Sequence, residues 1–213
     1  MYYEGLGVDQ NYQKAFDWIE QAANQGYANA QFDLGVIYNE GIAVEQDEIK
    51  KLEWFQQAAN QGYTDAQFNL GIMYHESIGI EQDYQKAMQW YLLAANNGSF
   101  DAQNNIGNFY ENGYGVTQDY DKAFEWYTKA ADQGLDVAQL NIGDLYENGY
   151  GVPQDYDKAF EWYKKAAEQG NQEASNRIGR LVINGKIDDT GITIYSTQET
   201  GLTLGYIEDS LRN

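Results

Sequence analysis

The sequence predicts an all-α fold, an α-α solenoid of 36-residue helix-turn-helix repeats ending in a divergent tail. Three observations carry the prediction. The stretch Glu147–Gly170, ENGYGVPQDYDKAFEWYKKAAEQG, recurs at Glu111–Gly134 with changes only at Thr117/Pro153, Thr128/Lys164 and Asp132/Glu168. Marker residues return every 36 positions, as Trp18, Trp54, Trp90, Trp126 and Trp162 and as Gly35, Gly71, Gly107, Gly143 and Gly179. Each copy carries apolar residues at helical spacing between a short carboxylate and a glycine. A strict period of this size marks stacked supersecondary units rather than one globular core.

Residues 1–27 make a half repeat. Tyr12, Ala15, Phe16, Ile19, Ala22 and Ala23 lie at helical spacing, which predicts a B helix over about residues 9–25, closed by Gly26 in a left-handed C′ position. Full repeats follow at 28–63, 64–99, 100–135 and 136–171. Each holds a first helix A (about 28–40 in the first repeat), a loop, and a second helix B (about 47–60). Asp47, Asp83, Asp119 and Asp155 stand where a short side chain caps free N–H groups at the positive end of a helix. Gly62, Gly98, Gly134 and Gly170 stop the B helices.

A glycine inside every A helix costs about 1 kcal/mol relative to alanine, so it needs a packing reason. Together with Ala58-Ala59, Ala94-Ala95, Ala130-Ala131 and Ala166-Ala167 it implies close approach of backbones. The periodic Trp and Tyr then fill the space between units. A terminal A helix, 172–184, keeps Ala174, Ile178 and Gly179 but has Val182 in place of the tyrosine. The tail, 185–213, breaks the pattern. Ile192-x-Ile194 and Leu202-x-Leu204-x-Tyr206 alternate around Thr197–Gly201, which suits a β-hairpin, with a cap on the last helix or a flexible tail as the competing readings.

Lys and Arg number 13 against 33 Asp and Glu, a net charge of −20, which repels nucleic acid and anionic lipid and favours a basic protein partner. Solubility through self-repulsion accounts for such a surface equally well. With no Cys there is no disulfide framework, thiol nucleophile or thiolate metal site, as in a reducing, cytoplasmic setting. No apolar run approaches a membrane span and Met1–Glu4 is not a secretory signal. Because Tyr2 matches Tyr38, the chain starts inside a repeat, and a periplasmic or secreted setting stays open if an N-terminal segment has been removed.

The pattern Ala-x-x-x-Leu/Ile-Gly-x-x-Tyr-x-x-Gly-x-Gly-Val-x-x-Asp-x-x-Lys-Ala-x-x-Trp-Tyr-x-x-Ala-Ala-x-x-Gly, clearest at Ala102–Gly134 and Ala138–Gly170, resembles the Sel-1-like repeat, a relative of the tetratricopeptide repeat. The match covers about residues 4–184; Ala43 and Ser77 replace loop glycines and Lys51 replaces the usual alanine. The resemblance implies a right-handed superhelix with the A helices on its concave side. It also implies an adaptor or scaffold role, with some bacterial members acting as immunity proteins against secreted toxins. A cysteine-rich subgroup that binds β-lactams has a disulfide in each repeat, and a chain without Cys falls outside it.

Catalytic signatures are missing, so no enzyme activity, cofactor or metal is expected. His75 is the only histidine and stands where other repeats have Asn39, Glu111 and Glu147, which predicts an exposed surface residue. Asp121/Glu125 and Asp157/Glu161 are one turn apart. They are better explained by helix electrostatics, including Glu125–Lys129 and Glu161–Lys165 pairs at i,i+4, than as acid–base couples. Gly113-Tyr114-Gly115 and Gly149-Tyr150-Gly151 follow helices rather than strands and are turns, not phosphate loops.

The informative surface is the face of helix A opposite Ala30, Leu34, Ile37 and Tyr38. It runs from Asn29, Phe32, Asp33, Val36 and Glu40 through Asp65, Phe68, Asn69, Ile72 and Glu76. It continues as Asp101, Asn104, Asn105, Asn108 and Asn112, then Val137, Leu140, Asn141, Asp144 and Asn148. Glu173, Asn176, Arg177, Arg180 and Asn184 complete it. Packing holds the opposite face constant, so variation between units marks the stripe as free to specialise. Amides that donate and accept suit an extended peptide backbone. A non-catalytic protein-binding scaffold is therefore expected, or, more specifically, an inhibitor or immunity protein burying a toxin's basic surface. Self-association through the two solenoid ends is a further expectation.

Overall fold

The computed structural model describes residues 11–188, and among them the chain forms ten α-helices. The B helices are α1 (Tyr12–Asn24), α3 (Glu48–Asn60), α5 (Tyr84–Asn96), α7 (Tyr120–Ala131) and α9 (Tyr156–Glu168). The A helices are α2 (Ala28–Glu40), α4 (Thr64–Glu76), α6 (Phe100–Asn112), α8 (Asp136–Asn148) and α10 (Gln172–Ile183). Each helix packs on its neighbours in the chain, most extensively where an A helix meets the B helix that follows it, so the units line up as a solenoid. The anticipated β-hairpin lies outside the described residues.

Local chemistry sets the start of the B helices. Asp83, Asp119 and Asp155 accept backbone N–H bonds from Lys86, Lys122 and Lys158 at 2.9, 3.0 and 2.9 Å, and Asp47 caps both Ile49 and Lys50. These bonds hold the Asp83, Asp119 and Asp155 carboxyls below the usual range. The same lysines turn back to pair with their caps and lie over Tyr74, Tyr110 and Tyr146 of the preceding A helix. The expected Glu125–Lys129 and Glu161–Lys165 pairs do not form. Lys129 and Lys165 sit 3.8 and 3.9 Å above the Trp126 and Trp162 rings, where the aliphatic stem also covers apolar surface.

The helix-interior glycines have the reason the sequence required. A Cβ on Gly71, Gly107 or Gly143 would stand 2.4, 2.6 or 2.4 Å from the ring of Tyr91, Tyr127 or Tyr163. These three tyrosines are fully buried. Each B-helix ring also enters a core built with the next A helix, as Tyr127 does among Ala123, Ala130, Ala138, Ile142 and Leu145. The tryptophans work in the other direction. Trp54, Trp90, Trp126 and Trp162 each pack back on the core of the preceding unit.

Two features depart from the repeat. Phe55 stands where the three units that follow have a tyrosine, and beside it Lys51 replaces alanine. Lys51 is buried, and its ammonium pairs with Glu48 and reaches Asn39 Oδ1 at 3.1 Å. Ala43 and Ser77 take φ +64° and +61°, left-handed values that glycine takes at Gly115 and Gly151 and at Gly113 and Gly149.

Candidate protein-binding stripe

No position of the A-helix stripe is buried, whereas Ala30, Leu34, Ile37 and Tyr38 on the opposite face are. The stripe changes chemistry along its length. On α2 and α4 it is apolar and acidic. Phe32 stacks on Phe55 at 5.3 Å and lies 5.1 Å from Tyr63, and Phe68 lies 5.9 Å from Tyr91. Val36 and Ile72 are half-buried on the same cores of the following unit, as Leu140 is further on. These five side chains are therefore spacers with one flank in solvent. Asp33, Glu40 and Glu76 are exposed, and partial burial raises the Asp33 carboxyl above its ordinary value. Asn69 turns its amide onto the Asp65 carbonyl at 2.8 Å.

On α6 and α8 the stripe becomes amide-rich. Asn104, Asn105, Asn108 and Asn141 are half-buried. Asn141 Nδ2 donates to Asn104 Oδ1 at 3.0 Å, which joins the two A helices across the stripe. The hydroxyls of Tyr91 and Tyr127 approach Asn105 and Asn108 from behind the stripe, and each amide partly offsets the rise that burial imposes on its tyrosine. Each of these amides keeps donor or acceptor capacity to spare.

The last section is ionic. Tyr127 donates to Glu111 Oε2 at 2.5 Å, and the Tyr163 hydroxyl stands 2.7 Å from Asp144 Oδ1 and 2.6 Å from Glu147 Oε2. From α10, Arg177 Nε donates to Asp144 at 2.9 Å and Arg180 to Glu147 at 2.7 Å; Arg177 also pairs with Glu173. Burial, reinforced by these carboxylates, raises the Tyr127 and Tyr163 hydroxyls, so both remain neutral donors. The bond to Asp144 raises the Arg177 guanidinium. Glu111 has no such cation. Burial, with Asp144 adding to it, pushes its carboxyl up, against the opposing bond from Tyr127.

His75 is half-buried rather than exposed. Phe109, Tyr114, Tyr84 and Tyr91 surround its ring at centroid distances of 4.9, 5.7, 5.8 and 6.4 Å. Burial lowers its pKa against the pull of Glu76. The residues that enclose it come from α5, from α6 and from the loop after α6, which its own helix pattern does not reveal.

Sequence reasoning also missed the tyrosine–carboxylate row and a set of buried glutamines. Gln67, Gln103 and Gln139 accept from Asn97, Gln133 and Gln169 at 3.0, 2.8 and 2.9 Å, and Gln31 accepts from Gln61. Their signal was a polar residue recurring at the 36-residue period beside the buried alanine. Among the described residues no group of three or more His, Cys, Asp or Glu could hold a metal ion, and no helix is long and apolar enough to cross a membrane.

The family model for the Sel1 repeat matches residues 1–27, 28–63, 64–99, 100–135 and 136–171. The chain belongs to the Sel1 repeat family. Sel1 repeat proteins generally serve as protein-interaction scaffolds, typically without catalytic activity. A Sel1 repeat protein from Oxalobacter formigenes is 37% identical, with a TM-score of 0.80 over 84% of this chain and 72% of that one. The protective antigen c5321 of uropathogenic Escherichia coli is 37% identical, with a TM-score of 0.82 over 88% of this chain. The match spans only 40% of the antigen's length. Immunity protein PA5088 from Pseudomonas aeruginosa shares the fold at 22% identity, with a TM-score of 0.55 over 89% of this chain and 69% of that one. No curated protein matches the sequence.

Proposed function

We propose that this Sel1 repeat chain is a non-catalytic scaffold whose A-helix stripe holds an extended peptide or a basic protein surface. One observation carries the reading: the stripe varies in chemistry from unit to unit while the packing face behind it repeats. The cross-helix bond between Asn141 and Asn104 holds two of its half-buried amides in place, so little side-chain entropy is lost when a backbone docks against them. Exposed Asp33, Glu40, Glu76 and Asp101 and the net charge of −20 favour a basic guest.

A protein captured from the native source by the full chain supplies the titrant for calorimetry. Asn105→Ala combined with Asn141→Ala is expected to weaken its binding at least about tenfold, with helix content unchanged. Unchanged affinity rules out the stripe as the site.

An inhibitor or immunity role is a specific form of the same reading, favoured by the acidic surface. Immunity proteins of Pseudomonas aeruginosa share the fold. The role predicts that this chain protects cells expressing a toxic basic partner, and that charge reversal at Asp33 and Asp101 removes the protection.

A further inference from the structure

Among the described residues, the first and last helices of the solenoid are complementary halves of one repeat. At one end α1 is a B helix with no A helix before it among the described residues, and at the other α10 is an A helix with no B helix after it. Inside the solenoid this A-to-B junction is the most extensive contact between elements.

Position by position, the two ends match. In the inner units each A-helix glycine lies against the ring of the next B helix. Around Gly179 no described atom lies within 4 Å of the place a Cβ would take. The ring position itself, held by Phe55, Tyr91, Tyr127 and Tyr163, is Ile19 in α1. The A-helix residue that meets that ring is His75, Glu111 or Glu147, each within hydrogen-bonding distance of a tyrosine hydroxyl. In α10 this residue is Ile183, which is 86% exposed. A polar pair within the repeats thus becomes an apolar pair, Ile183 and Ile19, divided between the ends. Val182, at the position of Tyr146, is also exposed. Trp18 is 64% exposed, whereas each later tryptophan is partly buried on the unit before it.

We propose that a second copy of this chain docks its α1 onto α10 and completes a repeat across the junction. In this arrangement Ile19 faces Gly179 and Ile183, and Trp18 covers the α9–α10 core, continuing the interface that joins the inner units. The contact is head-to-tail and leaves both outer ends free, so it extends into chains of copies rather than closing as a dimer.

Light scattering and sedimentation on the full chain, over a concentration series up to about 1 mM to allow for a small interface, test the proposal. The average mass is expected to rise with concentration past that of a dimer. Trp18→Glu and Ile183→Glu alter exposed positions at opposite ends. Each variant alone is expected to form no species larger than a monomer, with an unchanged circular dichroism spectrum. Mixing the two pairs the intact α10 of one with the intact α1 of the other, and the mixture is expected to stop at a heterodimer. A wild type that stays monomeric throughout overturns the proposal. So does loss of association from only one of the two substitutions, which indicates a symmetric contact between like ends.

Discussion

Alanine placed at Gly107 and at Gly179 separates two effects that glycine combines. In an exposed helix the exchange gains about 1 kcal/mol from reduced backbone entropy and better helix propensity. At Gly107 the new methyl stands 2.6 Å from two ring carbons of Tyr127, about 1 Å inside ordinary contact. That ring is fully buried and its hydroxyl is tied to Glu111 at 2.5 Å, so it cannot yield without losing the bond and opening the core on its other side. Overpacking of this kind costs up to about 3 kcal/mol, which leaves a net loss of about 2 kcal/mol. The corresponding fall in melting temperature is about 4–8 °C for a domain of this size. At Gly179 no described atom opposes the methyl, so the sign reverses and the protein gains up to about 1 kcal/mol. Thermal and urea melts followed by circular dichroism measure both, at a concentration low enough to exclude association. A neutral or stabilising Gly107→Ala refutes the argument that these glycines exist to admit the ring.

Two further changes report on single features. Ala43→Gly relieves a left-handed alanine at φ +64° in a loop where the other units use Gly79, Gly115 and Gly151, and is expected to raise stability by about 1 kcal/mol in the same melts. Glu111→Gln keeps an acceptor for Tyr127 while removing a carboxylate whose folded pKa is raised. The folded state binds the extra proton, so wild-type stability falls as pH rises through the carboxylate range. The variant is expected to be the more stable at pH 7, and the difference should vanish below about pH 4, where the unfolded carboxyl is also protonated. A difference that persists in acid assigns the effect to packing.

The scaffold was legible because its causes are local. Asp119 before a helix, Gly134 after it and Gly107 within it each act over a few residues, and repetition made each signal unmistakable. The stripe was legible as a surface but not as a network. Asn105 and Asn108 read as free amides, yet Tyr91 and Tyr127 reach them from neighbouring B helices, and no single-helix pattern encodes that approach. His75 was misplaced for the same reason, since the rings that enclose it come from other elements. The lysines of α7 and α9 followed a different rule. Lys129 and Lys165 had both a carboxylate and an indole within reach, and the indole offers a cation contact together with cover for the methylene stem.

The glutamine row has no member beyond Gln139, because Ser175 takes the next place. Arg177 and Arg180 join α10 to α8 through carboxylates, whereas α6 and α8 are joined by the amides of Asn104 and Asn141. Partly exposed charge pairs weaken with ionic strength, whereas neutral hydrogen bonds scarcely respond. The terminal unit is accordingly held by a clasp that ions loosen. Added salt should speed amide hydrogen exchange in α10 while the middle of the solenoid keeps its protection.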